Sequence, residues 1–426
     1  MDNITITFII TGITMVLMVV EIIPLAATMM FSALALVFTG ILPMAKAYSY
    51  FGSSTIVFVV CMALIANGLF EAGIVQDIGN KIFRGKIVEN ERAMIFASSL
   101  LAGLATAIFL NSALVVIMIP LLAAAVMKSN GKVQMKHLLM GVAANATVGA
   151  AITLVGAAPN LMAQSILVQT EGVRGMRFFE MAPLALPLTV ITAVYFATVG
   201  YAIQKRFYTF ADVIDPSMLQ TEKISFPRWK KWNIGCTLLL LITLFILEVG
   251  NTTILSFIAV GYLFATKSLN VKSSMRDVDW NMIIILACAQ TLAAGLNESG
   301  AGALIAQRVM DVFGGAAASP FAVMVALSLI SVCLTQIMSN TACCAMLTPI
   351  AISMALALNV NVMYFVIPMV CMAGTAIMTP IGSPCMTIAL AGGYRAKDYM
   401  IVGAPLVVIL TLISIGLTPI LFKPYL

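Results

Sequence analysis

The stretch Thr335-Gln336-Ile337-Met338-Ser339-Asn340-Thr341-Ala342-Cys343-Cys344-Ala345-Met346-Leu347-Thr348-Pro349 lies inside a run, Val312 to Tyr394, that contains no Asp, Glu, Lys or Arg. Three small polar residues in a row, Ser339-Asn340-Thr341, are costly in such surroundings unless they are hydrogen-bonded or bind something. The pattern occurs a second time at Thr106 to Pro120, 229 residues earlier: Thr106 aligns with Thr335, Asn111 with Asn340, Ser112 with Thr341, Ala113 with Ala342 and Pro120 with Pro349. Other landmarks repeat at a similar offset. Glu21 and Glu248 are 227 residues apart, as are two Gly-Leu-x-Glu-x-Gly strings at Gly68 to Gly73 and Gly295 to Gly300. Glu180 with Pro187 is echoed by Asp398 with Pro405, each pair seven residues apart. The chain reads as a duplication.

The composition says where such a chain resides. It is 62% hydrophobic and 9% charged, against roughly 25% charged residues in a soluble domain, and its mean hydropathy is +1.07. This predicts an all-α, multi-pass membrane protein with room for about ten spans of ~20 residues. Apolar runs place them near Ile4 to Val20, Ile22 to Leu42, Thr55 to Leu69, Leu138 to Val168 and Ala182 to Ile203, then Asn233 to Leu247, Thr252 to Ala265, Met282 to Leu296, Asn361 to Leu390 and Ile401 to Leu421. Ile4 to Val20 follows Asp2 with no basic segment and no small-residue cleavage site, and reads as a first span, not a removable signal peptide. The net charge of +6 resides in Lys and Arg clustered at span ends, which report orientation and give no support for nucleic-acid binding. Eight cysteines without metal or redox spacing read as small buried hydrophobes.

Ala93 to Met127 is uncharged, too long for one span, and divided by Asn111-Ser112. Lys81, Arg84, Lys86 and Arg92 precede it and Lys128, Lys132 and Lys136 follow it. Basic residues at both ends place both ends in the cytoplasm, so the segment enters and returns as a re-entrant hairpin with Asn111-Ser112 at its tip. Non-helical backbone at that depth is tolerated only against protein or a water-filled cavity. The second hairpin then enters from outside. Five spans per half make the halves inverted relative to one another: residues 1–203 with hairpin 93–127, a basic cytoplasmic linker 204–232, and residues 233–426 with hairpin 316–358.

After each hairpin the next span is interrupted, by Gly156-Ala157-Ala158-Pro159-Asn160 in the first half and Thr379-Pro380-Ile381-Gly382-Ser383-Pro384-Cys385 in the second. Proline breaks the helix and frees carbonyls that need partners, which bound cations supply. Half-helix N-termini suit an anion and freed carbonyls suit Na⁺. Because neither the hairpin arms nor the breaks carry an ionisable residue, an anion would be held by dipoles, Asn/Ser/Thr hydrogen bonds and co-bound cations, which predicts cation coupling. Proton coupling needs an intramembrane carboxylate or His; Glu21 and Glu248 fall at turns between spans, Glu71 and Glu298 at span ends, and His137 beside Lys136 reads as a solvated loop residue. Small polar residues also glue membrane helices together, but duplication and pairing with a Pro/Gly break favour a binding site. Trp229 and Trp232 with Lys230 and Lys231 read as an interfacial anchor. A membrane-embedded hydrolase lacks its groups here, since no Asp lies within a span and Ser112 and Ser339 have no base nearby in sequence.

At Ser339-Asn340-Thr341-Ala342, Asn111-Ser112-Ala113, the Gly-Pro interruptions and Tyr394-Arg395-Ala396-Lys397-Asp398-Tyr399, nearly the whole chain resembles the divalent anion/sodium symporter family, within the wider superfamily of ion transporters with a citrate-transporter-like domain. The resemblance implies inverted repeats, tip-to-tip hairpins and a homodimer whose transport domain moves, elevator-like, against a scaffold. It implies one Na⁺ site at Thr106, Leu110 (by its backbone), Asn111 and Gly156, a second at Thr335, Ser339, Asn340 and Gly382, and substrate contacts from Asn111, Ser112, Asn340, Thr341 and Ser383. Leu110 replaces a family Ser, Ala157-Ala158 a Thr-Pro, and Cys385-Met386 a Pro-Asn, so the first half has lost a hydroxyl for a substrate carboxylate. The expected function is a secondary transporter in the cytoplasmic membrane that moves a small anion (a di- or tricarboxylate, or an oxyanion such as sulfate) with Na⁺ as coupling ion and no organic cofactor. The alternative within the superfamily is a Na⁺/H⁺ or arsenite-type antiporter.

Overall fold

The computed structural model describes residues 2–20, 22–83, 86–129, 131–212, 227–301, 304 and 319–425. Glu21, Arg84, residues 213–226 of the 204–232 linker and residues 316–318 of the second expected hairpin lie outside them. Among the described residues all regular structure is helical, as the composition requires. The helices are α1 (Asn3–Val20), α2 (Leu25–Phe38), α3 (Met44–Ser49), α4 (Ser54–Glu71), α5 (Ile74–Ile82), α6 (Lys86–Glu89), α7 (Glu91–Ala105), α8 (Asn111–Lys128), α9 (Met135–Gly149), α10 (Ala158–Leu167), α11 (Ala182–Ala197), α12 (Val199–Phe207), α13 (Arg228–Ile246), α14 (Thr252–Ala265), α15 (Val271–Arg276), α16 (Trp280–Glu298), α17 (Pro320–Thr335), α18 (Asn340–Ala357), α19 (Val362–Ala373), α20 (Pro384–Ala389) and α21 (Ala396–Leu421).

By length and apolarity six of these qualify as full membrane spans, the α3–α4 unit, α8, α13, α16, α18 and α21, and a seventh if α11 and α12, bent by 42° at Thr198, form one. The helices of α1, α2, α14, α17 and α19 are apolar but shorter. At 1.5 Å per residue a 14-residue helix such as α2 is about 21 Å long, less than the ~30 Å of a bilayer core. Apolar runs therefore overstate helix length where Pro or Gly ends the helix early, as at Pro24 before α2 and in the two interruptions.

The helices sort into two packing groups. In one, α16 packs on α1, α2 and α4, and α4 on α13 and α14; in the other, α9 and α11 pack on α7, α8 on α9, and α19 on α17 and α18. The helix α10 links them, lying against α16 and α4 on one side and α18 on the other. The second group is interlaced across the two sequence halves: α8 meets α20, α10 meets α18, and α11 meets α21. The repeated Gly-Leu-x-Glu-x-Gly strings end α4 and α16, where Gly73 (φ +69°) and Gly300 (φ +76°) take the left-handed conformation that terminates a helix without steric cost.

Two expectations need correction. His137 is not in a solvated loop but near the start of α9 and 5% exposed. Its Nδ1 lies 2.8 Å from Glu91 Oε1, and Glu91 also accepts from the Tyr201 hydroxyl at 2.6 Å and the Gln134 N–H at 2.9 Å. The partners come from α7 and α12, far away in sequence. Burial pushes the Glu91 carboxyl up, but the hydrogen bonds from His137, Tyr201 and Gln134 outweigh it and hold it below the usual carboxylate value. A depressed carboxylate stabilises the fold fully above its unfolded pKa, and that stability is lost as pH falls through the folded value. Glu91→Gln is therefore expected to lower stability at pH 7 by about 1–3 kcal/mol, and the gap from the parent to narrow below pH 4, as read by thermal melting of the detergent-solubilised protein. The second correction concerns cysteine: six of the eight are buried, but Cys236 and Cys333 are exposed.

Candidate functional site

Each helical pair turns within a few residues, and the polar triplets sit at the start of the returning helix, not at the apex. The turn between α7 and α8 spans 106–110, so Asn111 is the first helical residue; the turn between α17 and α18 spans 336–339. In both halves the threonine that opens the turn is fully buried and its carbonyl is pressed against the glycine of the following interruption. A Cβ on Gly156 would lie 2.6 Å from Thr106 O and 2.2 Å from Ala150 O, and one on Gly382 would lie 2.5 Å from Thr335 O. Only glycine permits this approach. Among the described residues neither the Thr106 nor the Thr335 carbonyl accepts a hydrogen bond.

Several carbonyls of the turns and interruptions are taken up by side chains, so bound cations are not needed as partners for all of them. Asn160 donates to Ala150 O (2.8 Å) and Thr153 O (2.9 Å), and the Thr153 hydroxyl donates to Ala107 O. In the second half Thr335 Oγ1 donates to Ala373 O (2.6 Å), Gln336 Nε2 to Thr375 O (3.0 Å), and Thr379 Oγ1 to Gln336 O (2.8 Å). Of these residues the sequence pointed to Thr335 for its place in the repeat; Gln336 stood in the quoted stretch and Asn160 and Thr379 in the quoted interruptions without a role, while Thr153 carries no local signal.

The two asparagines do different work. Asn340 is 7% exposed; oriented so that its amide nitrogen meets acceptors, it donates to Gly382 O and Thr335 Oγ1, both at 2.7 Å. It ties hairpin turn to interruption. Asn111 instead folds back, its Oδ1 accepting from the Ser112 N–H at 2.8 Å. The cause lies one residue earlier. Ser339 caps α18, its Oγ accepting from Ala342 N at 3.3 Å, which leaves Asn340 free to reach across. Leu110 offers α8 no cap, so Asn111 takes one of the helix's orphan N–H groups. The Leu110 carbonyl accepts from Leu114 N at 3.1 Å.

A cavity of about 360 Å³ reaches this region, its lining including Ser339, Thr341, Ala158 and Pro384 together with Pro24, Asp279 and Asn281. It brings the first residues of α10 and the short α20 to the start of α18, so the N-termini of two longer helices, α10 and α18, border one space, an arrangement that favours an anion. Asn111 and Ser112 are half-buried and do not line it. Ser383 is fully buried, its Oγ 3.1 Å from Thr147 Oγ1 of α9. Asp279 and Asn281 were missed by the sequence reading because they lie far from both hairpins along the chain. Glu248 is exposed at the α13–α14 turn and paired with Arg177 at 2.9 Å, in keeping with an interfacial position.

A citrate transporter family model matches residues 15–342 and 315–425, nearly the entire chain. The chain belongs to the citrate transporter family. This multi-pass membrane protein is similar to an uncharacterized transporter of Methanocaldococcus jannaschii, 21% identical over 90% of the chain and 86% of that protein. It is also similar to the sodium-dependent low-affinity dicarboxylate transporter 1 of Caenorhabditis elegans (25%, covering 61% of the chain and 50% of that protein) and to the sodium-dependent dicarboxylate transporter SdcS of Staphylococcus saprophyticus (29%, covering 34% and 29%). The chain thus matches half or less of these two dicarboxylate transporters' length. Among solved structures, the YdaH transporter of Alcanivorax borkumensis shares the fold at a TM-score of 0.64 and 14% identity, over 88% of this chain and 87% of that one. MtrF of Neisseria gonorrhoeae does so at 0.59 and 15%, over 91% and 84%.

Proposed function

We propose that this citrate transporter family member is a Na⁺-coupled symporter of a small anion, a di- or tricarboxylate or an oxyanion such as sulfate. The observation that carries the reading is the pair of equivalent buried carbonyls, Thr106 O and Thr335 O, each without a hydrogen bond among the described residues and each held against the glycine of an interruption. Hard cations take oxygen ligands of this kind. Na⁺ near these points would be held in one half by Thr106, Leu110 O, Asn111 and Gly156, and in the other by Thr335, Ser339, Asn340 and Gly382. The cavity contains no basic side chain among its lining residues, so its anion would be bound by helix N-termini and by Thr341 and Ser339, with Asn111, Ser112, Asn340 and Ser383 close to the same tips. Bound Na⁺ would supply the compensating charge, which makes anion affinity depend on Na⁺.

In the same reading the two helical pairs are re-entrant hairpins, residues 1–203 and 233–426 are inverted repeats, and the packing group built on α16 is a scaffold in a homodimer. The other group moves against it across α10, by an elevator-type alternating access. Glu248, exposed and ion-paired with Arg177, supplies no buried proton relay. The test is uptake of radiolabelled succinate, citrate and sulfate into proteoliposomes with and without an inward Na⁺ gradient. At least one of them is expected to accumulate several-fold faster with the gradient. Uptake indifferent to Na⁺ would remove the coupling claim.

A further inference from the structure

We infer that Asp279 is an electrostatic release gate: its carboxylate weakens anion binding from the side on which the cavity opens, and so speeds release there. The inference rests on the reading of the cavity as an anion path. Among the described residues that line the cavity, Asp279 carries the one formal charge, and it is of the same sign as the expected cargo. It is exposed and lines the same cavity as Ser339, Thr341 and Asn281. Arg276, the nearest cation along the chain, does not offset it there; its Nε is engaged by Asp277 Oδ1 at 3.1 Å.

The position sharpens the argument. Asp279 is the N-cap of α16, its Oδ1 accepting from Met282 N at 3.1 Å. With a neutral cap the N-terminus of this 19-residue helix would add a third positive helix end to those of α10 and α18 and hold an anion more tightly. The carboxylate reverses the sign at the exposed mouth while leaving the other two ends unopposed. An anion is then drawn past the mouth to the hairpin tip but is not retained at the mouth. Release is often the slow step of a turnover cycle, and a negative residue at the exit shortens it.

A cap alone would be served equally by Asn, which terminates helices as well as Asp does. Asp279→Asn therefore keeps the helix start and removes only the charge; Asp279→Ser, a second neutral cap, guards against an effect peculiar to the amide. Both variants and the parent, as full chains in proteoliposomes of known orientation, are assayed for the apparent KM of whichever of succinate, citrate and sulfate the parent carries, from each side of the membrane. For a dianion, both variants are expected to lower KM by roughly five-fold from the side of Asp279, and the difference to shrink when choline chloride is raised to 0.5 M. KM from the opposite side stays within two-fold. Equal shifts from both sides, a shift insensitive to salt, or none at all overturns the gate while leaving the transport reading intact. A parent protein that carries none of the three anions in a Na⁺ gradient removes both.

Discussion

Gly382→Ala is expected to abolish Na⁺-dependent uptake, with a loss on the order of a hundred-fold, while the protein still inserts and purifies. The added methyl would sit 2.5 Å from Thr335 O and 2.8 Å from the Ala376 Cβ. Thr335 O is backbone and cannot rotate away, so the turn and the interruption must separate by several tenths of an ångström. Displacements of about 1 Å at a site that positions reacting or bound groups commonly cost this much. Gly156→Ala is expected to behave alike, since its methyl would meet both Ala150 O and Thr106 O. Uptake at succinate, citrate or sulfate concentrations well above the parent's KM, together with a melting curve on the same preparation, separates loss of function from loss of fold. Retention of Na⁺-dependent uptake within two-fold in Gly382→Ala would remove the glycine–carbonyl contact from the proposed ion site.

The second large effect is expected at Asn340. Its amide joins Gly382 O to Thr335 Oγ1, and in Asn340→Ala the Gly382 carbonyl loses that partner in a buried place. Leaving a buried acceptor unsatisfied costs about 1–3 kcal/mol, and here the same change unties the hairpin turn from the interruption, so Na⁺-dependent uptake is expected to fall at least tenfold. Asn111→Ala removes only a local bond to the next residue's N–H and is expected to cost less than 1 kcal/mol and to affect uptake less. The hydroxyls follow the same order: Thr341, which lines the cavity, is expected to matter more than Ser112, which does not. Melting temperature and uptake measured on Asn340→Ala, Asn111→Ala, Thr341→Ala and Ser112→Ala test the order, and equal losses from the two halves would refute it.

These expectations rest on features read at different levels. The triplets, the interruptions and the glycines Gly156 and Gly382 could be read in the sequence because a polar or helix-breaking residue in an apolar run is anomalous by itself. The different use of Asn111 and Asn340 could not, although its cause, Leu110 against Ser339, was in view as a departure from the family pattern. Capping couples neighbouring residues, but where the released side chain then reaches depends on Gly382, more than forty residues away in sequence. The short helices α3, α5, α6 and α15 escaped notice because each is only a few residues long and reads as loop by hydropathy.

By itself, the sequence determined the all-helical membrane class, the two turns and the two breaks, since transfer free energy and backbone stereochemistry act residue by residue and over short windows. Only the tertiary structure decided which carbonyls remain free. Side chains of Asn160, Thr153, Thr335 and Gln336 claim several of them, and that claim requires elements to meet. It alone also buried His137 against Glu91 and brought Asp279 to the same cavity as Ser339 and Thr341. Each of these is a pairing between distant segments, fixed by how the helices of the two halves interlace and by nothing local to either partner.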